Sequence, residues 1–373
     1  MAGSIFGKSF TITTWGESHG PALGVVIDGC PAGLPLAEAD IQVWLDRRKP
    51  GQTAIATPRR EADAVRILSG VFEGRTTGTP ISLMVENTSQ RSGDYGEIAS
   101  CYRPGHADYT FERKYGFRDY RGGGRSSARE TVGRVAAGAI AAKILGTMGI
   151  TLCAYTKAIG PVAISEERFD REAILKTPTA MPDYTASREA EAYLKSCMEE
   201  KDSSGGVIEC RIGGMPAGIG ETVFDKLDAN LGKAVFSIGA VKAVEIGDGF
   251  RAAQARGSEN NDAFVSRDGN ITKKTNHAGG ILGGMSDGST ILLRAYLKPT
   301  PSIFRRQETV NRAGDNIALE IRGRHDPVIV PRAVVVVEAM AALTIVDLLF
   351  ENMHARMDAV TDFYTGDRAL RPL

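Results

Sequence analysis

An α+β domain built of two related halves is what the 373-residue chain predicts, on three features. Short β-branched runs recur, apolar residues at helical spacing fall between them, and one strand–turn–helix unit occurs twice. In chain order, strands are expected at 10–14, 23–27, 81–85, 207–211, 290–295 and 333–337, each rich in Val, Ile or Thr and closed by polar or glycine residues. Helices are expected at 38–48, 129–145, 221–235 and from 337 towards 349. In the second of these, Val132, Val135, Ala136, Ala139, Ile140 and Ile144 mark one apolar face. Gly133 and Gly138 lower its helix propensity but permit close packing, and a sheet is the expected neighbour.

The repeated unit is Val-Val-Ile-Asp-Gly-Cys-Pro-Ala-Gly-Leu at 25–34 and Val-Ile-Glu-Cys-Arg-Ile-Gly-Gly-Met-Pro-Ala-Gly-Ile at 207–219. Each reads as a strand, a Pro-Ala-Gly turn and a helix. One domain over 1–373 follows, with halves near 1–150 and 200–350. No linker divides them: 165–188 is polar but carries aromatic and apolar residues, so an elaborated loop or short elements are expected there. The polar stretch 251–276 suits an active-site lid and a plain connection equally well.

The chain is 42% hydrophobic and 24% charged, with 45 basic against 45 acidic side chains, so nothing in its composition suggests disorder and no global charge draws nucleic acid or anionic lipid. No apolar run reaches 18 residues and the start lacks the basic-then-apolar order of a secretory signal, which makes the cytoplasm the expected location, without a membrane partner. The five cysteines, at 30, 101, 153, 197 and 210, form no CxxC or Cys/His cluster. Reduced, packed thiols are expected, and no metal.

Chemistry concentrates in a few turns. Arg-Gly-Gly-Gly-Arg-Ser-Ser-Ala-Arg-Glu-Thr at 121–131 puts a glycine turn, three arginines and two hydroxyls before a helix, as a phosphorylated or polycarboxylate ligand requires. Ser127 is placed to cap that helix, with Glu130 completing a capping box. Gly-Glu-Ser-His-Gly at 16–20 sets Ser18 and His19 at a strand end, and Arg-Pro-Gly-His-Ala-Asp at 103–108 sets His106 after a rigid turn. Two histidines near an arginine-rich turn make acid–base chemistry available if the fold unites them. Arg-Gly-Arg-His-Asp-Pro at 322–327 adds Arg324, a fork for an acidic ligand, and Asp326, a proton carrier or an aid to a base; a plain surface turn is the other reading. Asn-His-Ala-Gly-Gly-Ile-Leu-Gly-Gly at 276–284 and Lys-Pro-Thr-Pro-Ser at 298–302 offer close backbone approach. No P-loop or dinucleotide fingerprint is present, and Ser18, although it stands in Gly-Glu-Ser-His-Gly, is not read as a nucleophile elbow.

Taken together, the motifs at 16, 103, 121, 276 and 324 resemble the chorismate synthase family over nearly the whole chain. The resemblance implies a β-α-β sandwich-like fold with internal duplication, paired antiparallel sheets flanking helices, assembled as a homotetramer. It implies a carbon–oxygen lyase that turns 5-enolpyruvylshikimate 3-phosphate into chorismate and phosphate by anti-1,4-elimination. Reduced FMN is required without net redox change, lending electron density and taking up the C6 hydrogen. With no reductase domain evident in the sequence, an external source of reduced flavin is expected.

By the same resemblance the catalytic residues are His19, donating a proton to the departing phosphate, His106, near flavin N1, and Asp326, handling the proton at N5. Substrate contacts fall to Ser18, Arg48, Ser127, Arg129 and Arg324. Cofactor contacts fall to His106, Arg125, Ser126, Ser127, Gly239, Ala240, Gly283, Lys298, Thr300, Ser302 and Arg324. One position departs: Ala54 stands where the family carries a second basic residue after Arg48, and Arg47, Lys49, Arg59 and Arg60 are the cations nearby in sequence.

Overall fold

The computed structural model describes residues 3–49, 62–88, 97–321 and 326–365. Its frame is two antiparallel five-stranded sheets. The first holds β1 (Ile5–Phe6), β2 (Thr11–Gly16), β3 (Ala22–Asp28), β4 (Val65–Ile67) and β5 (Ile81–Glu86), ordered β1-β2-β3-β5-β4. The second holds β6 (Thr151–Ile159), β7 (Val162–Ala163), β8 (Gly206–Gly213), β9 (Val241–Ile246) and β10 (Ile291–Leu297), ordered β9-β10-β8-β6-β7. Alternation selects the inner faces: Ile81, Leu83 and Val85 on β5, and Ile291, Leu293, Ala295 and Leu297 on β10, are buried.

Between the sheets lie α1 (Glu38–Arg48), α3 (Thr131–Thr147), α5 (Leu227–Phe236) and α6 (Val330–Asn352); α2 (Asp108–Tyr115), α4 (Tyr184–Glu199) and α7 (Met357–Thr365) are the other helices of eight or more residues among the described residues. Helix α3 rests on β2, β3 and β5, and α6 rests on β6 and β8. The two glycines of α3 serve different neighbours. A Cβ at Gly133 would lie 3.0 Å from Gly24 O, so this glycine faces the first sheet as expected. A Cβ at Gly138 would lie 2.3 Å from Ala339 Cβ, so the second glycine lets α3 and α6 touch backbone to backbone.

The expected strand at 333–337 is instead part of α6, and the reason is burial. Val334, Val335, Val336 and Val337 are all at most 3% exposed, covered by α3 on one side and by β6 and β8 on the other. A segment buried all round needs its backbone satisfied internally, and this outweighs the strand preference of valine. Helix α6 is long and apolar enough to cross a membrane by length and composition, yet its apolar surface is spent on this core. The stretch 165–188, expected as an elaborated loop or short elements, holds the short turns Glu166–Arg168 and Ala173–Lys176 and the start of α4. Asp183 caps it by accepting from Thr185 N (2.9 Å) and Ala186 N (3.1 Å), and Ala186, Ala190, Leu194 and Cys197 form its buried stripe.

Both Pro-Ala-Gly turns are held by the same bonds. Gly33 N donates to Thr76 O (2.8 Å) and Thr76 Oγ1 to Pro31 O (2.6 Å). Gly218 N donates to Ser286 O (2.7 Å) and Ser286 Oγ to Pro216 O (2.5 Å). In each half a small hydroxyl residue at the end of a short hairpin, Val71–Phe72 with Arg75–Thr76 or Ile281–Leu282 with Met285–Ser286, clasps the turn. The polar stretch 251–276 contains a hairpin, Phe264–Arg267 with Asn270–Lys273. Its base is fastened by Asp262, which accepts from His277 N (2.8 Å), Ala278 N (3.0 Å) and Thr275 Oγ1 (2.6 Å). The cysteines are all free thiols.

Candidate active site

The site begins where β2 ends. Gly16 has φ +86°, and a Cβ there would lie 2.3 Å from Ala22 O, so glycine is needed to turn the chain tightly into β3. The turn places Ser18 and His19 inward, 2% and 6% exposed. Across from it, Gly122, Gly123 and Gly124 follow one another with φ of +60°, +83° and +52°. Such a left-handed run brings backbone against a neighbour at low cost only without side chains. Gly122 uses that freedom: its Cβ would lie 2.4 Å from His19 Cδ2 and 2.8 Å from Ser18 Oγ.

Two 3₁₀ turns, Gly124–Ser126 and Ala128–Glu130, then lead into α3. Ser127 caps the second of these turns by accepting from Arg129 N (3.3 Å), rather than capping α3 itself, whose N-cap position is Glu130. The capping box is not completed in the expected way, because the Glu130 carboxylate accepts from Arg134 Nε (2.9 Å). Arg125 reaches back to the first sheet, donating to Thr14 Oγ1 (2.7 Å) and Gly16 O (3.1 Å), and so braces the strand that ends in the Ser18–His19 turn.

His106 arrives from the second motif. Its Nε2 shares a hydrogen with Ser302 Oγ at 2.7 Å, and Lys298 Nζ donates to the preceding Gly105 O at 2.7 Å. Arg103 and Asp108 stiffen that turn through paired bonds of 2.8 Å. A cavity of about 200 Å³ results, lined by Ser18, His19, Arg103, His106, Gly122, Gly123, Ser126, Ser127, Ala128 and Ser302. Both histidines therefore face one space, and no carboxylate is among these described lining residues. Ser18 Oγ is buried without a hydrogen-bond partner, an unspent donor at the wall.

Arg48 and Arg129 meet on a residue the sequence did not mark. Asp63 accepts from Arg48 Nη2 (2.6 Å) through one oxygen and from Arg129 Nη1 (2.6 Å) through the other. Its side chain is 0% exposed. Burial alone would raise the Asp63 carboxyl, but the two guanidiniums outweigh it and hold the group below its ordinary value. Burial also draws Arg48 down to about 10, which leaves it cationic at neutral pH. One carboxylate between two cations leaves an excess positive charge beside the cavity, suited to an anion.

Asn87 links that pair to the histidine turn: its Oδ1 accepts from Arg129 Nε (2.7 Å) and its Nδ2 donates to Gly20 O (2.8 Å). Asn87 directly follows an alternating strand, which is the faint sequence sign it carries; Asp63 carries none. Asp326 does not line the histidine cavity. Arg332 binds its carboxylate and also donates to Arg48 O (3.1 Å), placing Asp326 beside the arginine pair.

Of the other expected residues, Lys298 N donates to Ala240 O (2.9 Å), so this lysine ties the Gly239–Ala240 turn to the His106 turn. Ala240 itself holds φ +73°. Thr300 Oγ1 is buried without a partner. Gly283 lies on the short hairpin that clasps the second Pro-Ala-Gly turn, outside the cavity lining. Arg324, Ala54, Arg59 and Arg60 lie outside the described residues.

A family model described as chorismate synthase matches residues 10–350. Among curated proteins, chorismate synthases of Agathobacter rectalis and Methanococcoides burtonii are similar. The first is 63% identical, covering 98% of this chain and 99% of the relative. The second is 55% identical, covering 95% and 98%. Among solved structures, one described as a crystal structure of chorismate synthase superposes with a TM-score of 0.76 at 30% identity, covering 95% of this chain and 96% of that one.

Proposed function

Because the chain belongs to the chorismate synthase family, we propose that it converts 5-enolpyruvylshikimate 3-phosphate to chorismate and phosphate by anti-1,4-elimination with reduced FMN. The observation that carries the reading is the joint cavity of His19 and His106, set against a buried arginine pair with one shared carboxylate.

His19 is held by the Gly122 backbone and donates a proton to the departing phosphate oxygen. Ser18 Oγ, unspent and buried, supplies a hydrogen bond to the same ligand. Arg48 and Arg129, fixed in mutual register by Asp63, attract the substrate's anionic groups, with Arg324 joining them. Ser18 and His19 share the cavity wall with His106, whose ring is oriented by Ser302.

The residues present suit a flavin phosphate and ring edge. Ser126, Ser127, Ser302 and Lys298 offer donors, the buried hydroxyl of Thr300 lacks a partner, and Arg125, Gly239, Ala240 and Gly283 belong to the same expected set. Reduced FMN, when bound, supplies electron density for the elimination with no net redox change. With that cofactor bound, His106 would hold or give a proton near flavin N1, and Asp326, whose carboxylate Arg332 binds, would serve as the proton-handling group towards N5. A homotetramer and a separate source of reduced flavin belong to the same reading. Mass identification of chorismate, with matching phosphate release, tests it; absence of both with reduced FMN present rejects it.

A further inference from the structure

Asn87 joins two parts of the site that the motifs describe separately. Its Nδ2 donates to Glu17 O (3.0 Å) and Gly20 O (2.8 Å), the carbonyls on either side of Ser18 and His19. Its Oδ1 accepts from Arg129 Nε (2.7 Å), and its backbone N–H donates to Pro21 O (3.0 Å). The side chain's two ends are thus fully specified, because two carbonyls require the NH₂ and a guanidinium requires the oxygen.

We infer that Asn87 is a positioning residue that sets the His19 turn relative to the Arg129 guanidinium. It rests on the roles proposed above for His19 and Arg129. The chemistry of the elimination makes that relation consequential: the proton donor and the cation must both reach one phosphorylated substrate, and a misplacement of about 1 Å can cost on the order of a hundredfold in rate. A residue that only stabilised the fold would lower stability without separating binding from turnover.

Two near-isosteric variants distinguish these cases. Asn87→Leu removes both sets of side-chain bonds, and should lower kcat and raise the substrate KM by roughly tenfold or more each, the scale of losing a hydrogen bond to a charged group. Asn87→Asp keeps an acceptor for Arg129 but turns oxygen towards two carbonyl oxygens. It should hold KM within about threefold of wild type while kcat still falls roughly tenfold. Kinetic constants within about threefold of wild type in Asn87→Leu would overturn the inference, as would equal effects of both variants on KM. The His19 ring resonance, assigned by its loss in His19→Gln, gives a readout independent of turnover: it should move in Asn87→Leu, and an unchanged position and titration would overturn the inference. Wild-type chorismate formation tests the functional reading by itself, so the two failures are distinguishable.

Discussion

The backbone of Gly122 lies against the His19 imidazole so closely that a Cβ at 122 would sit 2.5 Å from Nε2. The anion turn and the histidine turn are therefore one unit, and the glycine is required for its lack of side chain as well as for its φ of +60°. Gly122→Ala should displace His19 and lower kcat at least roughly tenfold, since a left-handed alanine costs about 1–2 kcal/mol before the overlap is relieved. Steady-state kinetics on the folded variant checks this; unchanged kcat would show that His19 moves freely.

His19→Ala and His106→Ala should each slow the chemical step by roughly 10²–10⁴-fold, the usual effect of losing a positioned acid or base. Single-turnover measurement separates that step from binding. Near-normal rates in both variants would remove the acid–base assignment, while Asp326→Asn tests the third proton role without changing size.

Arg129 and Arg125 should behave differently. Arg129 is 6% exposed and shares the buried Asp63, so Arg129→Ala leaves that carboxylate to Arg48 alone and should lower stability along with substrate affinity. Arg125 instead bonds Thr14 and Gly16 O at the end of β2. Arg125→Ala should chiefly impair the use of flavin or substrate, and denaturant titration beside kinetics at limiting FMN and limiting substrate would show the contrast. Equal losses of stability would contradict it.

Asp63 also fixes the direction of an acid response. Its folded carboxyl is depressed by Arg48 and Arg129 against the opposing effect of burial. A depressed acid stabilises the fold fully above its unfolded value, about 3.9, and loses that contribution as pH falls through the folded value. Wild type should therefore lose more stability than Asp63→Asn between about pH 5 and the folded value. Parallel stability curves for the two proteins over that range would rule out the linkage.

Much of the fold is visible in the sequence where local pattern and burial agree. β-branched runs marked β3, β5 and β8, and the Pro-Ala-Gly echo marked turns that Thr76 and Ser286 clasp alike. Pattern failed where the environment was uniform: Val334–Val337 have no polar face to give a period, and only the contacts with α3 and the second sheet make them helical. In the site, glycine turns with histidine or arginine were legible because few other uses explain them. Asp63 was not, since an isolated acid in a polar stretch gains meaning only when Arg48 and Arg129 converge on it. Gly138 was read as a close-packing position, but its partner is Ala339 of α6 rather than a sheet, a choice set by tertiary layering.

The proposed elimination needs reduced FMN yet consumes no net electrons. An anaerobic reaction with 5-enolpyruvylshikimate 3-phosphate and reduced FMN, counting flavin oxidation, chorismate by mass and released phosphate, tests it most directly. Chorismate and phosphate should appear in equal amounts, with electron consumption far below product, and oxidised FMN alone should give none. One reductant oxidised per product, or no chorismate with reduced FMN, would overturn the redox-neutral elimination.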